Sequence, residues 1–222
     1  MPIYGLKLLT EEGTSLTDEY GRVHYPVGEW VSVPGNGTDV AMEVGYFAGE
    51  DEDADQGDLL LAQFECDAST ETEPSLFGVS CFRRVRRLAK IDMEWVKTLS
   101  VPMRIAVARR GTDEHRDALL HDPDRAVRYF VAIFGTDAHR TTLLNDPDRE
   151  VRWRIAIHGN NEHRTALLND PYTDVRVAVA YNGNNEHRAI LEHDPDAEVR
   201  DTVQQKRDAL LSKRSASCPS MD

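Results

Sequence analysis

The chain predicts an α+β multidomain protein: a small β-rich N-terminal domain followed by an α-solenoid of 24-residue two-helix repeats. Three observations carry this reading. Residues 1–88 hold short apolar runs parted by Gly, Pro, Asp and Ser. Residues 98–205 repeat themselves every 24 positions. The charge divides along the same line. Residues 1–90 carry 7 basic and 17 acidic groups, whereas residues 91–222 carry 19 and 22, within a formal net charge of −13.

The N-terminal domain, 1–88, is read from the runs IYGLKLL, GEWVSV, DVAMEVGYF, DLLLAQFEC and GVSCFRRV. They alternate roughly between apolar and polar residues, which predicts about five strands with at least one wet face. Between them lies an acidic cluster, Glu50, Asp51, Glu52, Asp53, Asp55 and Asp58. It reads as a solvated loop, because like charges repel and stay hydrated. A calcium loop of the EF-hand type would need a closing Glu, and none follows Gly57 in register. A basic run, Arg83, Arg84, Arg86, Arg87 and Lys90, ends the domain. It could neutralise the acidic loop, dock the repeats or bind an anion. His24, Tyr25 and Glu43 are the residues from which a catalytic site could be assembled, without supporting spacing.

Four registers agree in the second part. Gly111, Gly135, Gly159 and Gly183 recur every 24 residues, as do His115-Arg116, His139-Arg140, His163-Arg164 and His187-Arg188. So do Asp122-Pro123, Asp146-Pro147, Asp170-Pro171 and Asp194-Pro195, and Val127-Arg128, Val151-Arg152, Val175-Arg176 and Val199-Arg200. A weaker copy with Met103-Arg104 precedes them. Each copy reads as two helices. Thr112 is placed to cap the first, with Asp113 and Glu114 in its first turn, where the helix dipole favours acids. Asp122 is expected to cap the second, with Pro123 at the first helical position. Val127, Phe130, Val131 and Phe134 then lie on one helical face. Gly135 is expected to close that helix in the left-handed conformation. Such short pairs cannot bury their apolar faces alone, but stacked copies can. The solenoid is placed at 89–214, with DTVQQKRDALLSKR as a capping helix whose Lys206, Arg207, Lys213 and Arg214 face water. Residues 215–222 are expected to form a flexible tail.

The unit DPxxxVRxxVAxxGxxxHRxxLL resembles the short HEAT-like repeats and the 24-residue class called leucine-rich repeat variant, over residues 98–205. The resemblance implies an Asp–Arg ladder, here Asp122/Arg128, Asp146/Arg152, Asp170/Arg176 and Asp194/Arg200. It starts at the second copy, because Thr98 stands opposite Arg104. The cysteine cluster of iron–sulfur members of the variant class has no counterpart in this chain, so the resemblance implies no cofactor. Residues 1–88 loosely resemble a β-rich module that precedes repeats in uncharacterised bacterial and phage proteins.

Function is sought where the copies differ. Tyr129, Trp153 and Val177 share one slot, Phe130, Arg154 and Ala178 the next, and Phe134, His158 and Asn182 a third. Aromatic and Arg side chains anchor protein interfaces more often than other residues. The candidate partner-binding residues are therefore Tyr129, Phe130, Phe134, Trp153, Arg154, His158 and Tyr181. The competing role for Phe130 and Phe134 is to fill space between helices. The histidine column is read as structural, since equivalent positions stand about 8–10 Å apart in packed helices, whereas zinc needs ligands about 2 Å away. No metal site is expected.

Other classes are weighed down. The acidic balance opposes wholesale nucleic-acid or anionic-membrane binding, and Asp146, Asp148 and Glu150 flank the most basic stretch, Arg149–Arg154. The inner face of the solenoid, with Trp153 as a stacking platform, is the one place a nucleic acid would fit. No run approaches the ~18 apolar residues of a membrane span. No secretory signal is visible, and Cys66, Cys81 and Cys218 fit neither a disulfide framework nor CxxC spacing. A cytoplasmic location follows as an expectation, with a virion-associated one as the alternative for a phage-encoded chain. Signature motifs of hydrolases, phosphate loops and zinc proteases are lacking. The expectation is a non-enzymatic scaffold for a protein partner, with a homo-oligomer compatible. The alternatives are an enzyme or ligand site in the β-domain, with the repeats as a targeting arm, and nucleic-acid binding on the repeats.

Overall fold

The computed structural model describes residues 3–10, 23–33, 38–41, 59–74, 79–82 and 84–216. It is α+β, an antiparallel sheet followed by helices, and it divides into two compact units, Met1–Leu119 and Leu120–Asp222. The division falls inside the repeats, later than the composition break near residue 88.

In the first unit the described residues form seven strands: β1 (Ile3–Thr10), β2 (Trp30–Ser32), β3 (Thr38–Ala41), β4 (Leu59–Cys66), β5 (Glu71–Pro74), β6 (Val79–Phe82) and β7 (Arg84–Arg87). Their order is β2-β7-β4-β1-β3-β6-β5, and neighbours run antiparallel. The expected five become seven for two reasons. GVSCFRRV supplies both β6 and β7. The polar segment ETEP forms β5, an edge strand, where Pro and charge are tolerated because one side of the ladder is unpaired. β1 and β4 pair along their whole length, from Ile3 opposite Cys66 to Thr10 opposite Leu59. Alternation puts Ala62, Phe64 and Cys66 into a core with Leu9, Tyr25, Val33, Phe82 and Val85. Tyr25 meets Phe64 edge-on at 5.2 Å. Burial pushes the Cys66 thiol up to about 12, aided by the charges of Glu65 and Glu71, so Cys66 stays a neutral core group. The opposite face holds Leu6 and Gln63, both buried, and Tyr4, whose ring meets Trp95 at 6.0 Å. That face is thus partly covered by helix α1 (Met93–Val96) rather than left wet. Helix α2 (Val101–Arg110) packs on β4 and on α3 (Asp113–Leu119).

The second unit holds α4 (Arg125–Phe134), α5 (Asp137–Leu143), α6 (Arg149–His158), α7 (Asn161–Ala166), α8 (Thr173–Asn182), α9 (Asn185–Leu191) and α10 (Ala197–Ala216). Long and short helices alternate with the period of the sequence. α4 packs on α6, α6 on α8 and α8 on α10. Their contact faces are Val127 and Val131, Val151 and Ile155, Val175 and Val179, and Val199 and Val203, all at most 1% exposed. The four-residue spacing within each pair sets them one above the other on one helical face.

Three local expectations are corrected. Asp122 does not cap α4. Asp124 does, its carboxylate accepting the Ala126 N–H at 2.8 Å, while Asp122 accepts the Asp124 N–H at 2.9 Å and shapes the preceding turn. Pro123 accordingly lies before the helix. Asp148 repeats this at α6. Gly135 is not left-handed; its φ of −77° and ψ of 172° are extended. The repeat glycines serve close approach instead. A Cβ on Gly159 would lie 2.6 Å from the Ile155 carbonyl and 2.8 Å from His163 Nδ1. The third correction concerns the ladder. Arg128 sends its Nε and Nη2 to Asp146 of the following copy, at 2.7 and 3.0 Å, and reaches its own Asp122 only at the backbone carbonyl, at 2.8 Å. Arg152 joins Asp170, and Arg176 joins Asp194, in the same way. Arg200 reaches the carbonyls of Asp194 and Pro195. The Arg lies beside the next turn, so its planar fork meets that carboxylate two-handed.

Among the described residues no helix is long and apolar enough to cross a membrane. The cluster Glu50–Asp58, Glu43, Arg83 and the tail with Cys218 lie outside the described residues.

Candidate functional site

An open groove of about 510 Å³ runs across α4 and α6 in the second unit, reaching Asp174 of α8. Its floor is aromatic. Tyr129 and Phe130 come from α4, and Trp153 comes from the slot equivalent to Tyr129 one copy later. Tyr129 meets Phe130 edge-on at 5.2 Å, and Phe130 stacks on Phe134 at 6.3 Å. The Arg154 guanidinium lies 4.5 Å from the Tyr129 ring centroid and 4.7 Å from that of Trp153, and it donates to the Tyr129 hydroxyl. Tyr129 and Trp153 are held apart from the valine core because they fall on the other side of helices whose 127, 131, 151 and 155 positions are buried, while Phe130 lies on the flank of that buried face.

Charges line the groove. Arg125 bridges Asp148 at 3.3 Å and Glu150 at 3.1 Å. Arg149 stands 3.6 Å from Asp174 and 5.5 Å from the ring of Tyr172. Three carboxylates therefore face two guanidinium groups. The Asp148 hydrogen bond and the Glu150 charge hold Arg125 above its ordinary pKa. Burial pushes the Asp148 carboxyl up, but the Glu150 N–H and Arg125 outweigh it, and its pKa falls below the ordinary value. Both partners are thus charged at neutral pH, and both guanidinium groups are more than half exposed.

Of the seven candidate residues, the structure brings five together: Tyr129, Phe130 and Trp153 line the groove, Arg154 braces two of the rings, and Phe134 backs Phe130. His158 ends α6 in an exposed position outside the lining. Tyr181 of α8 is 58% exposed, with Lys206 Nζ of α10 3.1 Å from its ring centroid, so it belongs to a different surface. Sequence reasoning missed Arg125, Asp174 and Tyr172. A signal existed: Arg125 and Arg149 share one slot, and Glu150 and Asp174 another, one period apart.

The histidine column is built into the helix starts. Backbone N–H groups of Thr136, Asn160 and Asn184 donate to Nδ1 of His139, His163 and His187 at 2.8–3.0 Å. A backbone N–H only donates, so the proton of each ring sits on Nε2. Thr141 and Thr165 hydroxyls meet Nε2 of His163 and His187 at 2.9 Å. No group of three or more potential metal ligands occurs among the described residues. In the first unit His24 is exposed and Tyr25 is buried in the core, so the two do not converge. Arg84 and Arg86 are spent within the sheet, Arg84 on Asp67 at 3.2 Å and Arg86 on Glu65.

Comparisons with family models, with curated proteins and with solved structures find no match for this chain.

Proposed function

We propose that the helix pairs of residues 98–205 form a short solenoid of HEAT-like repeats, and that its α4–α6 groove is a docking site for a partner protein. The docked group is a basic side chain, lysine, methyl-lysine or arginine, on an extended segment. One observation carries this reading: three aromatic rings, two of them already in contact with the Arg154 guanidinium, share one groove with three lining carboxylates and two lining guanidinium groups. Ring faces attract cations, and Asp148, Glu150 and Asp174 add charge complementarity. Arg125 and Arg149, both largely exposed, are exchanged for the incoming cation at little cost, because surface ion pairs contribute at most about 1 kcal/mol. The same carboxylates oppose a phosphate backbone stacking on Trp153, which weighs against nucleic acid.

Fluorescent Gly-Ser peptides with one central Lys, trimethyl-Lys, Arg, Leu or Glu test this on the full chain. Fluorescence polarisation should show saturable binding of at least one cationic peptide and none of the Leu or Glu peptides. Trp153→Ala should weaken that binding by about fivefold or more, the worth of one ring face. Equal binding of the Leu peptide, or no binding by any cationic one, overturns the proposal.

A further inference from the structure

The first unit holds a second concavity, of about 330 Å³, where β4 and β7 approach α1 and the first turn of α3. Four donor groups line it, each left with capacity. Gln63 of β4 is only 2% exposed. Its Oε1 accepts the Asp92 N–H at 2.7 Å, and its amide nitrogen has no partner among the described residues. Arg87 of β7 makes one long bond, 3.4 Å, to the Tyr25 carbonyl. Its neighbours Arg84 and Arg86 each hold a carboxylate, whereas Arg87 and Lys90 form no ion pair among the described residues. Burial holds the Arg87 pKa below its ordinary value, the mark of a guanidinium without a compensating anion.

The fourth donor emerges from comparison along the repeats. His115 Nδ1 accepts the Thr112 N–H at 2.8 Å, so its proton is on Nε2, as in the later copies. His163 and His187 give that proton a threonine hydroxyl standing 22 residues earlier, Thr141 and Thr165. The same count back from His115 falls on Met93, whose thioether is a poor acceptor. Met93 and His115 both line the cavity. The first copy thus lacks the threonine acceptor that the copies of His163 and His187 carry.

We propose that this cavity is a binding site for a small organic anion, a carboxylate or a phosphate monoester. Arg87 and His115 Nε2–H hold the anionic group, and Lys90 adds charge at the rim. The apolar remainder of the ligand rests on Ile91 and Met93. A neutral ligand does not suit the site, because two cations face one carboxylate, the exposed Glu114. An extended polyanion does not suit a concavity of this size. The site is independent of the α4–α6 groove.

The test titrates the full chain with butyrate, with methyl phosphate and with the uncharged butanamide, by calorimetry and by NMR of the His115 ring nitrogens. Saturable binding of one or both anions at one site per chain, with a shift at His115 Nε2, is the expected result, and which anion binds identifies the headgroup. Arg87→Gln should weaken binding about tenfold, the worth of one charge-assisted hydrogen bond. Met93→Thr supplies His115 with the hydroxyl found in later copies. It should also weaken binding while far-UV circular dichroism and melting stay unchanged, so it decides the matter if Arg87→Gln fails to fold. Lack of saturable binding by either anion, equal binding of butanamide, or undiminished affinity in the folded variants overturns the proposal.

Discussion

At the scale of single residues, the repeats rest on buried charge. Arg152 and Asp170 are 8% and 7% exposed and joined by two hydrogen bonds. Removing one partner of such a pair leaves the other charge desolvated and uncompensated. Arg152→Ala or Asp170→Asn should therefore cost about 3–5 kcal/mol in urea unfolding, and the joint change Arg152→Met with Asp170→Leu should cost less than either. Additive losses would mean that the two residues act separately. The imidazoles add a pH dependence. Burial lowers the pKa of His115 and His187 below the ordinary 6.5, with nearby Arg164 helping at His187. The folded state thus prefers the neutral ring, whose Nδ1 must accept a backbone N–H. Their stabilisation is complete above pH 6.5 and is lost as pH falls below it. Asp194 behaves likewise lower down: burial raises its pKa, the Arg176 and Asp196 N–H bonds outweigh that, and its contribution is lost only below the ordinary 3.8. The urea midpoint should drop between neutral pH and about pH 5, and His115→Gln with His187→Gln should flatten that slope. A midpoint independent of pH over that range would contradict the assignment.

At the scale of elements, the second helix of each copy ends on a glycine because the next helix starts immediately against it. Gly159→Ala would push a methyl against the Ile155 carbonyl and the His163 ring, both under 3.0 Å away. Overpacking of this kind costs about 1–3 kcal/mol, read as a lower denaturant midpoint with an unchanged slope. An Ala at this site that is neutral would mean that the α6–α7 corner yields freely. This corner also shows what the sequence discloses. Four copies in one chain expose which positions the geometry holds fixed, so the helix pairs and the Gly, His, Asp and Arg columns are legible without any relative. What the period hides is partnership. An Asp six residues before its own Arg lies eighteen after the preceding one, and a repeat of 24 makes the two spacings equivalent in every copy. Only folding chooses Asp146 for Arg128. Two aspartates flank the proline in three of the four copies, with Tyr172 in place of the second after Pro171, and pose the same ambiguity for the cap. The β-rich part occurs once, so no internal comparison reveals that ETEP pairs as β5. The groove was half legible: the variable aromatic slots pointed to Tyr129, Phe130 and Trp153, while the carboxylates that give it chemical character were spread over two copies.

At the scale of the whole molecule, the net charge of −13 ceases to be a uniform property. In the second unit Arg and Asp neutralise each other across successive copies, so each rung fastens a copy to the one after it. Stability in such an array is a sum of local terms and nearest-neighbour interfaces. The rungs Arg128–Asp146, Arg152–Asp170 and Arg176–Asp194 clamp α6 and α8 from both sides. Beyond them Arg200 holds only backbone carbonyls among the described residues, and α10 carries Leu210 and Leu211 at 43% and 62% exposure. Amide hydrogen exchange should therefore be slowest in α6 and α8 and should quicken along α10 past Val203, because opening the end breaks no buried Arg–Asp rung, only the surface contacts of Lys206 with Tyr181 and of Arg207 with Glu192. Asp194→Asn removes the last charged rung and should speed exchange in α8 and α10 together, leaving α4 near its original rate. Equal acceleration in α4 would show the unit to open all at once instead of copy by copy.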